Sequence, residues 1–452
     1  MTSRFSVLGS QLSARCRFFA SLGWTILILM GWAVAQDKPV VLRGGKLLTV
    51  THGVIENGTI ILQGGKIAAV GAAASVNIPS GAQVIDVTGM TIYPGLIDSE
   101  TQLGLTEISA EEMTNDLVEL SDEIMPHMHT AEAFHAESAL IPVARMNGIT
   151  NAVIAPESGD TLPGQDSFIQ LAGANATEML LIRDNAMPLN FTGDQRRNKG
   201  GFEKRKFPST RMGLAAQLRQ AFIDAQDYKS KWTDYERKKA DAAQSKDKDK
   251  KPGPLPPKRD LKLEALVPYL EGKKTIVLAA ESSSDLQTAV SLANEFKLKF
   301  VLNHISHSQP ILDYVASLKV PVIVGPIYEA PKEDERYDTV YSLPAQLYKR
   351  GVKIVLASYS AHNVRNLPDQ AGFATAFGLP YDEALKAITI NAAEIWGVAD
   401  QLGSLDVGKT ANVVVANGDP LDVKTDVKQV FIAGREVPMT DRQVRLRDEY
   451  SK

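Results

Sequence analysis

Two glycine-punctuated runs of β-branched residues stand at opposite ends of this chain, and neither has enough strands to make a stable sheet structure alone. The first, residues 40–93, reads VVLRGGKLLTV, GTIILQGGKIAAVG and AQVIDVTGMTIYP in succession. The second, residues 403–437, is GSLDVGKTANVVVANGDPLDVKTDVKQVFIAGREV. Short β-rich segments bounded by glycine turns predict antiparallel strands. The economical solution pairs residues 38–93 with residues 403–440 in one small β-sandwich built from both ends. Everything between, residues 94–402, is then an inserted domain.

That insert alternates apolar strands with helices. Candidate strands are TIYPGLID, TNAVIAP, KTIVLAA, KFVLNHI, VPVIVGP and VKIVLAS; candidate helices include SDLQTAVSLANEFKL and QPILDYVASLK. Alternation over this length predicts an α/β fold, either a parallel barrel or a doubly wound sheet. No glycine-rich phosphate loop follows any of the strands, which weighs against a nucleotide fold. A helical and charged insertion, 200–260, interrupts the pattern. Leu214, Leu218, Ala221, Ala225, Tyr228, Trp232 and Tyr235 recur at steps of three and four, one face of a long helix that would cover the barrel wall or a subunit contact, with a substrate lid or partner-binding arm as the alternative. The run KDKDKKPGPLPPKRD, 246–260, then reads as a flexible surface loop.

Residues 1–35 read as a cleavable export signal. Arg4, Arg15 and Arg17 precede the run FFASLGWTILILMGWAVA, no acid occurs before Asp37, and Ala33-Val34-Ala35 offers a small-x-small cleavage site. The competing reading is an uncleaved anchor, since the run is about long enough to cross a bilayer. Cleavage would place the protein in the periplasm or outside the cell without stable membrane anchoring. It would also remove Cys16, the chain's one cysteine, leaving no disulfide and no thiolate. The net charge of −4 shows none of the basic bias of a nucleic-acid-binding domain.

Catalytic chemistry in such a barrel gathers where strands end, and there the sequence is specific. PGLIDSETQ follows the first β run, HISH ends a strand, and NVRNLP, ALKAITINAAEIWGV and GSLDVGKTANVVVANGDPLDV follow downstream. With these motifs, residues 40–437 resemble the amidohydrolase superfamily in its imidazolonepropionase-like branch. The resemblance implies a (β/α)8 TIM-like barrel with a composite β-sandwich. It also implies one or two divalent metals, such as zinc, that activate water against non-peptide, often cyclic, amide C–N bonds.

Carried over position by position, most of the implied metal site is altered. The two histidines expected after PGLID fall on Glu100 and Gln102. The bridging acid falls on Asp194, the next strand's histidine on Ala279, and the proton-shuttle aspartate on Tyr359. One histidine is retained, His304. No resident metal is therefore expected. An oxygen-rich set of Glu100, Asp194, Glu281 and His304 would suit Mg, Mn or Ca better than Zn. Metal-free chemistry would use Glu100 and His304 as an acid–base pair, with Tyr359 donating to an oxyanion. The third alternative is a barrel that binds a small molecule without hydrolysing it, alone or as a partner of an intact paralogue.

The other histidines read as ordinary. His127, His129 and His135 precede a helix rather than end a strand, and are expected on an exposed segment or pocket rim. His307 lies near His304 as a supporting residue, His362 lies in a loop at the mouth, and His52 belongs to the β module.

Overall fold

The computed structural model describes residues 38–119, 121–191, 207–208, 210–244, 253–305, 309–332 and 335–451. Residues 1–35, Asp194, His307 and part of the 246–260 run lie outside them, so the export signal, the bridging-acid position and the loop carry no structural account. Among the described residues no helix is long and apolar enough to cross a membrane.

Five strands come from the N-terminal run: β1 (Val40–Leu48), β2 (Val54–Gln63), β3 (Lys66–Ala72), β4 (Gln83–Asp86) and β5 (Thr91–Pro94). Nine follow in the insert: β6 (Leu96–Thr101), β7 (Ile149–Ile154), β8 (Ser167–Gln170), β9 (Leu180–Ile182), β10 (Ala186–Asn190), β11 (Thr275–Ala279), β12 (Phe300–Asn303), β13 (Val322–Val324) and β14 (Ile354–Leu356). The last three are β15 (Val413–Ala416), β16 (Val427–Ile432) and β17 (Arg435–Glu436).

The two chain ends share one sheet, in the order β17-β16-β15-β5-β1-β2-β3, with β4 beside β1. The seam between them is the antiparallel pair β15–β5, in register from Val413↔Pro94 to Ala416↔Thr91. Leu42, Leu47, Ile60, Ile92, Val413, Val415 and Phe431 form one buried cluster across that seam, so neither end can bury its apolar face without the other. The candidate strand TIYPGLID is divided at Gly95. Thr91–Pro94 pairs in the terminal sheet, and Leu96 onward enters the insert. A Cβ on Gly95 would stand 2.1 Å from Thr150 Oγ1, so only glycine fits where the chain passes β7. Buried Asn412 ties the two parts: its backbone oxygen accepts from Gly95 N, its Nδ2 donates to Asn151 Oδ1 at 2.8 Å, and its Oδ1 accepts from Ala433 N at 2.8 Å.

The insert is a barrel. Strands β10 to β14 form a parallel sheet, and β6 runs parallel to β7. Ile97, Val153, Phe168, Ala186, Val277, Val301, Ile323 and Val355, one from each of β6, β7, β8 and β10 to β14, meet in a single buried cluster with Trp396. Strand period two sends alternate residues inward, so this cluster is the filled barrel interior. Hydrogen bonds close both seams. Asp166 joins the start of β8 to Ala186 and Asn185, and Tyr359 N, after β14, donates to Glu100 O at 2.9 Å. One strand departs from the all-parallel expectation: β8 runs antiparallel to β7. The connection 155–166 contains Pro156, Gly159, Pro163 and Gly164 and no helix. A parallel return normally needs a helical crossover, so this chain comes straight back.

The long helix is Arg211–Gln244, with Leu214, Leu218, Phe222, Ala225 and Tyr228 buried along one face. It lies on the barrel's outer helix Ser283–Glu295, where Phe222 and Phe296 rings sit 5.0 Å apart and Arg219 Nε reaches Glu295 Oε2 at 2.9 Å. Its buried face thus covers the barrel wall.

Candidate functional site

Strand β6 ends irregularly. Its register against β7 slips between Asp98 and Thr101, and side chains take over the pairing. Asp98 is fully buried, and its Oδ1 accepts from Ser358 N at 3.0 Å and Glu100 N at 3.2 Å. Thr101 Oγ1 donates to Ser360 O at 2.9 Å. These bonds clamp the end of β6 to the segment after β14, which brings Glu100 and Tyr359 side by side.

The third contributor is the end of β12. His304 and Tyr359 both take the left-handed backbone, with φ of 53° and 52°. For residues bearing a Cβ this costs on the order of 1–2 kcal/mol each. Strain of this kind concentrates at ligand sites, where surrounding contacts hold it. Asn303 supplies those contacts. Its Oδ1 accepts from His304 N at 2.9 Å and from the Tyr359 hydroxyl, while its Nδ2 donates to Glu100 Oε2 at 2.6 Å. Two donors on one atom fix which end of the amide faces Glu100. The His304 and Tyr359 rings lie 4.6 Å apart at 45°, and His304 Nε2 stands 3.7 Å from Glu100 Oε1.

Burial dominates the electrostatics. It pushes the Asp98 carboxyl up to about 7, against the hydrogen bonds from Ser358 and Glu100 and with help from the Glu100 charge. It also raises the Tyr359 phenol well above its ordinary value, and the charges of Glu100, Asp98 and Glu329 add to that effect. The Tyr359 proton is directed at Asn303, so donation to an oxyanion would first require that bond to break. Tyr359→Phe is expected to destabilise the fold by about 1 kcal/mol, because Asn303 Oδ1 loses one of two donors. Urea unfolding of the two proteins measures this; equal stability would show that the phenol contributes nothing to holding the site.

The structure thus brings together Glu100, His304 and Tyr359. Ala279 ends β11 in register with Asn190 on one side and Asn303 on the other, and contributes only a buried methyl. Gln102 follows β6, half-buried, with its backbone oxygen accepting from Leu105 N. Glu281 lies beyond Ala279, 3.9 Å from Lys332, with its side chain 40% exposed. His362 is exposed in the turn before the short helix Asn363–Asn366. His52 lies in the terminal β domain, 3.2 Å from Asp406.

His127, His129 and His135 line a separate pocket of about 500 Å³ with Asp116 and Glu132. His129 Nδ1 lies 2.7 Å from Asp184, and burial holds both His127 and His129 below the usual histidine range. Asn303 is the residue that sequence reasoning missed. An asparagine preceding a strand-end histidine was the available signal, but nothing in the sequence placed its amide between Glu100 and Tyr359.

Do these residues fit a divalent metal? Such an ion collects electron-pair donors. Here the group facing Glu100 Oε2 is an N–H, the Ala279 position offers no donor atom, and the Tyr359 oxygen points its proton at Asn303. Among the described residues no three His, Cys, Asp or Glu side chains converge as a metal cage. The described residues do not fit a metal held in the way the resemblance implies.

Comparison with known proteins bears on the scaffold. Residues 280–437 match the model of the amidohydrolase family. Amidohydrolase tasK of Hapsidospora irregularis is 25% identical over 373 residues. That alignment takes in 79% of this chain but only 37% of that protein's length. The crystal structure of an amidohydrolase from Thermotoga maritima MSB8 superposes with a TM-score of 0.79 at 28% identity, over 89% of this chain and all of that one. Molinate hydrolase (TM-score 0.53, 15% identity, 89% of this chain and 95% of that one) and phenylurea hydrolase B (0.54, 16%, 89% and 97%) share the fold.

Proposed function

Since the chain belongs to the amidohydrolase superfamily, we propose that its barrel mouth remains a small-molecule site while the superfamily's metal-hydroxide hydrolysis has been lost. One observation carries this reading: the Asn303 amide donates to Glu100 Oε2 and accepts from Tyr359, so that two positions expected to serve a metal are tied to an amide instead. Four of the positions expected to serve the metal, Glu100, Gln102, Ala279 and Tyr359, are changed together, whereas the glycines and the β15–β16 segment that build the scaffold are kept. We further propose export, with the mature chain beginning at Gln36.

The test uses protein secreted from its full-length gene. Intact mass should place its N-terminus at Gln36. Metal analysis should find well under one equivalent, and a screen of cyclic amides and dipeptides should find no turnover above background. One tightly bound equivalent of metal that disappears in His304→Ala would overturn the proposal.

A second reading, metal-free hydrolysis, is favoured by the 3.7 Å approach of His304 to Glu100, which a small side-chain movement would turn into a hydrogen bond. General acid–base action contributes about 10²–10⁴-fold. Metal-free turnover abolished by Glu100→Gln would establish this reading in place of the first.

A further inference from the structure

The mouth carries carboxylates with little positive charge to balance them. Glu100 and Glu329 both act on the Tyr359 phenol; Asp98, fully buried beside Glu100 and with its Oδ2 lacking a hydrogen-bond partner among the described residues, is held protonated by burial up to about pH 7 and adds no charge below that. Among the described residues, His304 is the one basic side chain within ion-pair distance of Glu100, and Lys332 is engaged with Glu281. Glu100 uses one carboxylate oxygen on Asn303; Oε1 accepts no hydrogen bond from the described residues. The Glu100 and His304 side chains are 14% and 24% exposed, reachable from solvent yet mostly withdrawn from it. In that setting a carboxylate attracts a cation more strongly than it does in water. Beside it, the tilted His304 and Tyr359 rings, 4.6 Å apart, present an aromatic face.

An acceptor oxygen next to aromatic rings is what an ammonium or guanidinium group requires. A divalent metal would require further electron-pair donors that this mouth lacks. We propose that the barrel mouth binds a small organic cation, whose ammonium or guanidinium group pairs with Glu100 Oε1 against the His304 and Tyr359 rings. The proposal rests on the reading of the mouth as a small-molecule site and names the chemical class that site accepts.

The test is calorimetric titration of the mature protein, with chelator present, using agmatine, n-butylamine, n-butanol and the neutral cyclic amide 2-pyrrolidinone. Agmatine and n-butylamine are expected to bind, n-butanol about ten-fold or more weakly than n-butylamine. Glu100→Gln should lose about ten-fold or more in affinity for both cations, the scale of a lost charge-assisted hydrogen bond. Equal affinity for n-butylamine and n-butanol, or agmatine binding untouched by Glu100→Gln, overturns the proposal. Binding of 2-pyrrolidinone without binding of either cation overturns the cation but leaves the small-molecule site standing, whereas binding of no probe overturns both. Should Glu100→Gln fail to unfold cooperatively, the wild-type salt dependence decides: cation affinity that stays flat as salt is raised overturns the pairing.

Discussion

Gly372→Ala is expected to lower the unfolding free energy by about 1–2 kcal/mol, although it places the best helix former inside a helix. Gly372 lies within the helix Leu367–Ala376, which packs beneath the loop carrying Leu421. A Cβ there would stand 2.1 Å from the Leu421 carbonyl oxygen and 3.1 Å from its carbon. Backbone cannot rotate away as a side-chain tip can, so helix or loop must move. The loop is held in turn by Leu421 N and the Thr425 hydroxyl on Asp419. Helix propensity returns about 1 kcal/mol on replacing glycine, while forcing one extra carbon into packed backbone costs about 1–3 kcal/mol or more. The clash wins. Urea unfolding should show a lower midpoint with an unchanged slope, and Gly372→Ser should be worse. A stabilised Gly372→Ala would mean that the loop yields freely.

Two buried acids are expected to contribute less stability as pH rises from about 4 to 8. Burial pushes the Asp166 carboxyl up to about 7, partly opposed by the hydrogen bond from Ala186 N, and Asp98 is raised to a similar value. A carboxyl whose folded value lies above its unfolded one stays protonated in the native state until pH approaches that folded value. Its contribution is present in full below the unfolded value of 3.8 and is lost as pH climbs through about 7. Roughly three pH units correspond to about 4 kcal/mol for each group as an upper figure. Asp166→Asn keeps an acceptor for Ala186 N and cannot ionise. It should unfold at nearly wild-type denaturant concentration near pH 4, and be more stable than wild type by about 2–4 kcal/mol at pH 8. Unfolding curves for both proteins at the two pH values measure this; parallel loss of stability in both would show that Asp166 does not carry the effect.

Much of the architecture was legible because it rests on local pattern. The period-two runs in β1 to β5 and β15 to β17 announce strands, and their shortness forces the two ends together. The helix Arg211–Gln244 follows from its apolar steps of three and four. The antiparallel β8 did not follow, because its short SFIQ segment carries no direction of its own. Its direction depends on a connection too irregular to form a crossover helix. The division of TIYPGLID at Gly95 was equally hidden, since one apolar run serves two sheets and only the Thr150 contact marks the change.

The candidate site divides along the same line. From residue types and order alone came the superfamily scaffold and the replacement of expected metal-binding positions by Glu100, Gln102, Ala279 and Tyr359. What those replacements do for one another depends on residues brought together from 98 to 359. Tertiary structure decided that Asp98 clamps β6 to the end of β14, that Asn303 joins Glu100 to Tyr359, and that His304 stops 3.7 Å short of the carboxylate. The physical reason is range. Turn and strand preferences act between neighbours in sequence, whereas hydrogen-bond partners and the burial that shifts a carboxyl are set only when distant strand ends meet.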